Sequence, residues 1–129
     1  MVESAESAVR NFHAAWVRWD VDELIGFFTE DAVWTDGHNE PLKGVDAIRA
    51  QLQVVAALVP STTADINGLL ASGSTVMVER VDIFEFKDEA FVIEAAAVFE
   101  VDGNGRIARW RDYYDSRGLQ DRILALLAA

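Results

Sequence analysis

Two short runs in the second half of the chain place charged side chains where apolar ones are expected. On a strand, Val78, Arg80, Asp82 and Phe84 alternate onto one face, and Trp110, Asp112 and Tyr114 onto one face of another. In both runs the charges are bracketed by large apolar residues, which is a poor fit to a solvated face. An unpaired charge buried there would be strongly unfavourable, so each should have a partner. The Arg80 guanidinium can fork to two carboxylates at once, and Asp82 and Asp112 are the candidates. Two such carboxyls in an apolar setting share a proton readily, which leaves one acid and one base. A structural ion network, or merely exposed strand edges, fits the same residues. Arg109 and Arg111 fall on the opposite face from Asp112, where Glu79 or Glu94 on neighbouring strands would pair with them.

The elements that must position these residues follow from periodicity. Ala8, Val9, Phe12, Trp16 and Trp19 form one apolar stripe, predicting a helix from about Ser4 to Trp19. Asp20 with Glu23 reads as a capping pattern opening a short helix that carries Leu24, Ile25 and Phe28. Ala32 to Thr35 reads as a brief strand ending in the turn Asp36-Gly37-His38-Asn39. A third helix runs from Gly44 through Ile48, Leu52, Val55 and Val59, and must stop at Pro60. Four strands follow: Thr62–Ala71, Thr75–Phe86, Ala90–Val101 and Arg106–Asp115. The last hairpin is marked by Asp102-Gly103-Asn104-Gly105, and Arg117–Leu127 reads as a closing helix.

Helices first and then an antiparallel meander predict an α+β fold, with the helices gathered on one face of the sheet. Strands of about a dozen residues must curve strongly in so small a domain. A cone-shaped, strongly curved, mostly antiparallel sheet packed against N-terminal helices is therefore expected, with an interior. The 129 residues are expected to form a single domain spanning 1–129.

Composition narrows the partners. Eleven basic against 22 acidic residues give a net charge of −11, which argues against nucleic acid and against an anionic membrane surface. No stretch approaches the ~18 apolar residues of a membrane helix. The chain begins without a basic segment leading into a long apolar run, so no secretory signal is read and a cytoplasmic location is expected. There is no cysteine, which excludes disulfides and thiol chemistry. His13 and His38 stand alone, without H-x-H or H-E-x-x-H spacing, so no metal and no cofactor is expected.

Glu79-Arg80-Val81-Asp82 followed by Trp110-Arg111-Asp112-Tyr113-Tyr114-Asp115 resembles the limonene-1,2-epoxide hydrolase family, within the wider SnoaL-like and NTF2-like superfamily. In element order the likeness covers nearly the whole chain. The superfamily also holds isomerases, cyclases, dehydratases and binding proteins, so the R-x-D and W-R-D-Y-[FY]-D pair is the more specific signal. The resemblance implies hydrolysis of an epoxide in one step, without metal or covalent intermediate. Asp112 would be the base that deprotonates water, Asp82 the acid that protonates the epoxide oxygen, and Arg80 the link that holds both. It also implies a homodimer formed through the sheet.

The chain departs from the family at its water clamp. The family's tyrosine and asparagine, two residues apart, fall here on Trp34 and Asp36. These two are expected to position water or to bind substrate, with His38 or Thr35 available to compensate for the lost donor. Parity and position put Val55, Val59, Phe84, Ile93 and Ala95 on the cavity wall, and the small Ala95, Ala96 and Ala97 leave room inside. An apolar wall over a polar floor fits a small lipophilic substrate. The rival readings are a SnoaL-like cyclase or a ketosteroid-isomerase-like enzyme, with Asp36 or Asp112 taking a proton from carbon, and a non-catalytic small-molecule binding protein.

Overall fold

The computed structural model describes residues 4–128. The Ser4 hydroxyl accepts from the Ser7 amide and starts α1 (Ala5–Ala15), which buries Ala8, Val9, Phe12 and Ala15. The helix ends four residues earlier than its stripe predicts. Trp16–Arg18 tighten into a 3-10 turn, and Trp19 adopts a left-handed conformation with φ 50°. The gain is a tether: the Trp19 indole N–H donates to the Val59 carbonyl at 2.9 Å. Asp20 caps α2 (Val21–Ile25) by accepting from the Asp22 and Glu23 amides. Glu23 does not reach back to complete the capping box, because its carboxylate is held by Arg18 at 2.8 Å.

Phe28 lies not on α2 but at the start of β1 (Phe28–Asp36), a strand of nine residues rather than a brief one. A two-residue strand, β2 (Leu42–Lys43), pairs with it and leads to α3 (Val45–Leu58), which ends before Pro60 as expected. The meander follows as β3 (Thr62–Ser72), β4 (Thr75–Phe86), β5 (Glu89–Val101) and β6 (Ile107–Tyr113), before α4 (Ser116–Ala128).

The sheet has six strands, in the order β2-β1-β6-β5-β4-β3. The expected four-strand meander is present, but β1 extends it by pairing parallel to β6. That one parallel pair is what brings the first half of the chain to the charged strands. Register slips at Ile66/Gly68 and Glu100/Val101 bend the long strands, and the bent sheet cups the helices. The core is built around Phe12, whose ring meets Phe27, Phe28, Phe99 and Trp110 edge-on at 5.2–6.0 Å. Trp110 belongs to this core and to the site described next.

Candidate active site

Arg80 and Asp82 lie two residues apart on β4, so strand alternation alone puts them on one face. The fork is bidentate: Arg80 Nε donates to Asp82 Oδ1 at 2.8 Å and its NH2 to Oδ2 at 3.1 Å. The remaining NH1 donates to Asp112 Oδ1 at 2.8 Å. Arg80 is 5% exposed and Asp112 3%. Asp112 sits on β6, however, and a whole strand, β5, lies between the two. In register, β5 sets Ala95 opposite Arg80 and Ala97 opposite Asp112. Two methyl groups where larger side chains would stand let the guanidinium cross the strand.

Trp110 donates its indole N–H to the same Asp112 Oδ1 at 2.7 Å, so the aromatic core fixes the carboxyl's orientation. Trp34 stacks on Trp110 with ring centres 4.3 Å apart and planes within 3°. This follows from the parallel register, which pairs Trp34 with Trp110 and Asp36 with Asp112. A third carboxyl therefore stands beside the Arg80 network. Asp36 takes none of the Arg80 N–H groups, which go to Asp82 and Asp112, and it lines the cavity together with Tyr114. The Trp34 indole N–H is buried and has no hydrogen-bond partner.

These groups form the floor of a cavity of about 320 Å³. Val55, Val59, Phe84 and Ile93 line it as expected, together with Trp34, Asp36, Arg80, Asp82 and Asp112. Ala95 does not: it is buried opposite Arg80, where it makes room for the arginine rather than for a ligand. Nor do the supposed substitutes for the clamp take part. His38 and its backbone N–H bond to the Ser116 hydroxyl, and Thr35, paired with Arg111, lies on the other face of β1. Arg109 and Arg111 both pair with Glu100, at 3.7 and 3.4 Å, and neither pairs with Glu79 or Glu94.

Two contributions to the wall escaped the sequence reading. The α4 side chains Leu119, Ile123 and Leu127 close over the cavity, a stripe at four-residue spacing that was legible but had no assigned destination. Helix α4 folds back because Gly37, at φ 58°, lets Ser116 approach; a Cβ there would lie 2.4 Å from Ser116 Cβ. The other is the Tyr114 phenol, whose place on the Trp110/Asp112 face was evident while its partner on β1 was not.

Burial dominates the electrostatics. It works against the Arg80 cation, but the Asp112 charge and the bonds to both aspartates outweigh it, and the pKa of Arg80 is raised. Burial raises the pKa of Asp82 despite the opposing arginine. Burial, and then the Asp112 charge, raise Asp36 to about 6, while the Tyr114 hydrogen bond pulls it down. Tyr114 is raised by burial and by the Asp36 charge, so it remains a neutral donor. Beneath the site, burial lowers His13 to about 4, with its ring Nδ1 bonded to the Val9 carbonyl at 2.7 Å. Among the described residues, no group of three His, Asp or Glu side chains is arranged to hold a metal ion. None of their helices is long and apolar enough to cross a membrane.

A curved, mostly antiparallel sheet cupping helices around a polar-floored cavity is the NTF2-like, SnoaL-like α+β architecture. The chain belongs to the SnoaL-like domain family, whose model matches residues 9–110. An LEH-like epoxide hydrolase of M. tuberculosis is 28% identical, with 96% of this chain and 95% of that one covered at a TM-score of 0.78. SalBIII, an epoxide hydrolase/cyclase-like enzyme of pyran ring formation in the polyether salinomycin, is 20% identical, with 88% and 92% covered and a TM-score of 0.79. An NTF2-like protein of unknown function from Burkholderia pseudomallei is 17% identical, with 92% and 95% covered and a TM-score of 0.81. The last two speak to the fold alone.

Proposed function

We propose that this chain adds water to a small lipophilic epoxide in one step, giving a vicinal diol. The observation that carries the reading is one guanidinium bonded to two carboxyls at the floor of an apolar cavity. Both bonds to Asp112 end on Oδ1, which leaves Oδ2 to take a proton from water. The water oxygen forms a bond to one epoxide carbon as that carbon's bond to the ring oxygen breaks. The Asp82 carboxyl, kept protonated more readily by burial, gives its proton to the leaving oxygen. Arg80 holds both acids in place, and the proton gained by Asp112 is returned to Asp82 through solvent. Trp34 and Asp36 are the neighbours of Asp112 that meet the water or the substrate. Such positioned proton transfers supply ~10²–10⁴-fold each. The likeness to the M. tuberculosis enzyme supports the reading.

Turnover of a panel of terpene and cycloalkene oxides in ¹⁸O-labelled water tests it. Label should enter the diol, and Asp112→Asn should abolish the reaction with the fold intact. If wild-type protein opens no epoxide in the panel, the reading is refuted.

One observation favours a second reading. Asp36, free of Arg80 and raised to about 6, is poised as a base toward a carbon acid. A cyclase or isomerase-like proton transfer would then show as exchange of a ketone's α-proton with solvent, lost in Asp36→Asn. Binding of lipophilic ligands with neither activity would leave a binding protein.

The same reading includes a homodimer through the outer face of the sheet. There, Leu70 and Met77 pair across β3 and β4, Ile83 and Val92 across β4 and β5, and all four are exposed. Light scattering should give twice the chain mass, and Met77→Asp should return the monomer.

A further inference from the structure

Helix α4 is held firmly at one end only. Of its thirteen residues Ser116 alone is fully buried, and the Ser116 hydroxyl oxygen accepts from the His38 backbone N–H at 3.0 Å. The Asp115 carboxylate takes the Gly118 amide at 2.9 Å and fixes the first turn. Further along, Arg122 reaches β5. It donates to the Glu89 carboxylate at 3.3 Å and to the Ala90 carbonyl at 3.2 Å, with its guanidinium 3.9 Å from the centre of the Phe91 ring. Beyond Arg122, no hydrogen bond or ion pair among the described residues ties the helix to the rest of the chain. That free end lies at the mouth of the cavity. Leu127 from α4 and Leu58 from the end of α3 both line the cavity, yet each is more than half exposed. One turn back on each helix, Leu124 and Val54 are more than half exposed as well. Two helices thus present bare apolar lips to one opening.

We infer that α4 is a lid, pivoting at Ser116 and tethered by Arg122, whose free end closes Leu127 onto Leu58 once a lipophilic guest fills the cavity. Burying half of one leucine shifts an equilibrium by roughly tenfold, so closure is favoured by the lips themselves. Shutting them over an empty cavity gains less, because side chains around a dry void lose their contact partners. A guest that fills the cavity removes that opposing cost and makes closure conditional on its presence. Arg122 acts as a tether rather than a lock. Its side chain is half exposed and holds acceptors on two neighbouring residues, so it can pass from one to the other as the helix moves. The device would serve a hydrolase, a cyclase or a binding protein alike, so it goes beyond the hydrolytic reading and does not depend on it.

The test uses cyclohexanol as a neutral lipophilic guest, its binding read from the fluorescence of Trp16, Trp34 and Trp110, which line the cavity. The chain has no cysteine, so Leu58→Cys with Leu127→Cys introduces a single possible disulfide across the mouth. At a fixed ratio of oxidised to reduced glutathione, cyclohexanol should raise the disulfide-to-dithiol ratio by about tenfold. The oxidised protein should then release its guest at least about tenfold more slowly than the reduced protein, because the closed lid traps it. A second pair, Val54→Cys with Leu124→Cys, lies outside the cavity lining and carries spin labels. Cyclohexanol should shorten the distance between them, which a fixed wall touching the guest would leave unchanged. A disulfide that forms equally with and without guest, or in neither case, overturns the inference. Where the first pair does not fold, an unchanged label distance in the second overturns it instead. Failure of the wild type to bind cyclohexanol also overturns it, whereas failure to open epoxides defeats the hydrolytic reading alone.

Discussion

Replacing Asp36 with asparagine should make the protein more stable at neutral pH and no more stable in acid. In the folded chain Asp36 titrates at about 6, against an ordinary 3.8. The folded state therefore binds a proton that the unfolded chain has already released over that window. Stability from this group is complete below pH 4 and is lost as the pH rises through 6. About two pH units at 1.36 kcal/mol each put the penalty near ~3 kcal/mol at pH 7 and above. Asparagine carries no charge to desolvate and is nearly the same size. Urea unfolding followed by tryptophan fluorescence at several values between pH 4 and pH 8 reads the difference. Asp36→Asn should gain about 2–3 kcal/mol at pH 7.5, roughly 10 °C in Tm, and nothing at pH 4. His13 sharpens the contrast, because its pKa is moved the other way, from 6.5 to about 4. Its contribution is complete above pH 6.5 and fades as the pH falls through 4. In the wild type the two slopes oppose one another between pH 4 and 6, and the variant exposes the His13 slope alone. Asp82, raised in both proteins, cancels in the difference. Parallel curves for the two proteins, or a variant less stable at pH 7.5, would refute the reasoning.

Two further substitutions probe the charged network. Arg80→Met leaves Asp82 and a 3%-exposed Asp112 without their cation, and should lower the unfolding free energy by about 3–5 kcal/mol in urea at pH 7. A loss below 1 kcal/mol, an order-of-magnitude threshold for exposed pairs, would mean that the bridge is solvated. Ala95→Leu fills the gap through which the guanidinium crosses β5. It should cost about 1–3 kcal/mol and detach Arg80 from Asp112, seen as a lost Asp112 contact in a crystal structure of the variant.

Local sequence carried the architecture well because each part of it is written in nearest-neighbour terms. Strand parity put Arg80 with Asp82 and Asp112 with Trp110 and Tyr114, since side-chain alternation needs no knowledge of the rest of the chain. Gly44 and Pro60 bounded α3, since backbone freedom and a missing donor act at one residue. The same locality explains the misses. The apolar stripe of α1 runs on to Trp19, but a tertiary bond to Val59 captures that indole and ends the helix sooner. The pattern of β1 was too irregular to show a nine-residue strand, which exists because β6 and β2 flank it.

What belongs to the sequence by itself is therefore the two charged faces, the aromatic brackets around them and the order of the elements. Which faces meet was settled only by the tertiary structure. A parallel pairing between residues separated by more than seventy positions sets Asp36 beside Asp112 and Trp34 on Trp110. Alternation along a strand specifies a side of the sheet and says nothing of the neighbour across it. The third carboxyl beside Asp112 and the place of Ala95 against Arg80 both depend on that neighbour.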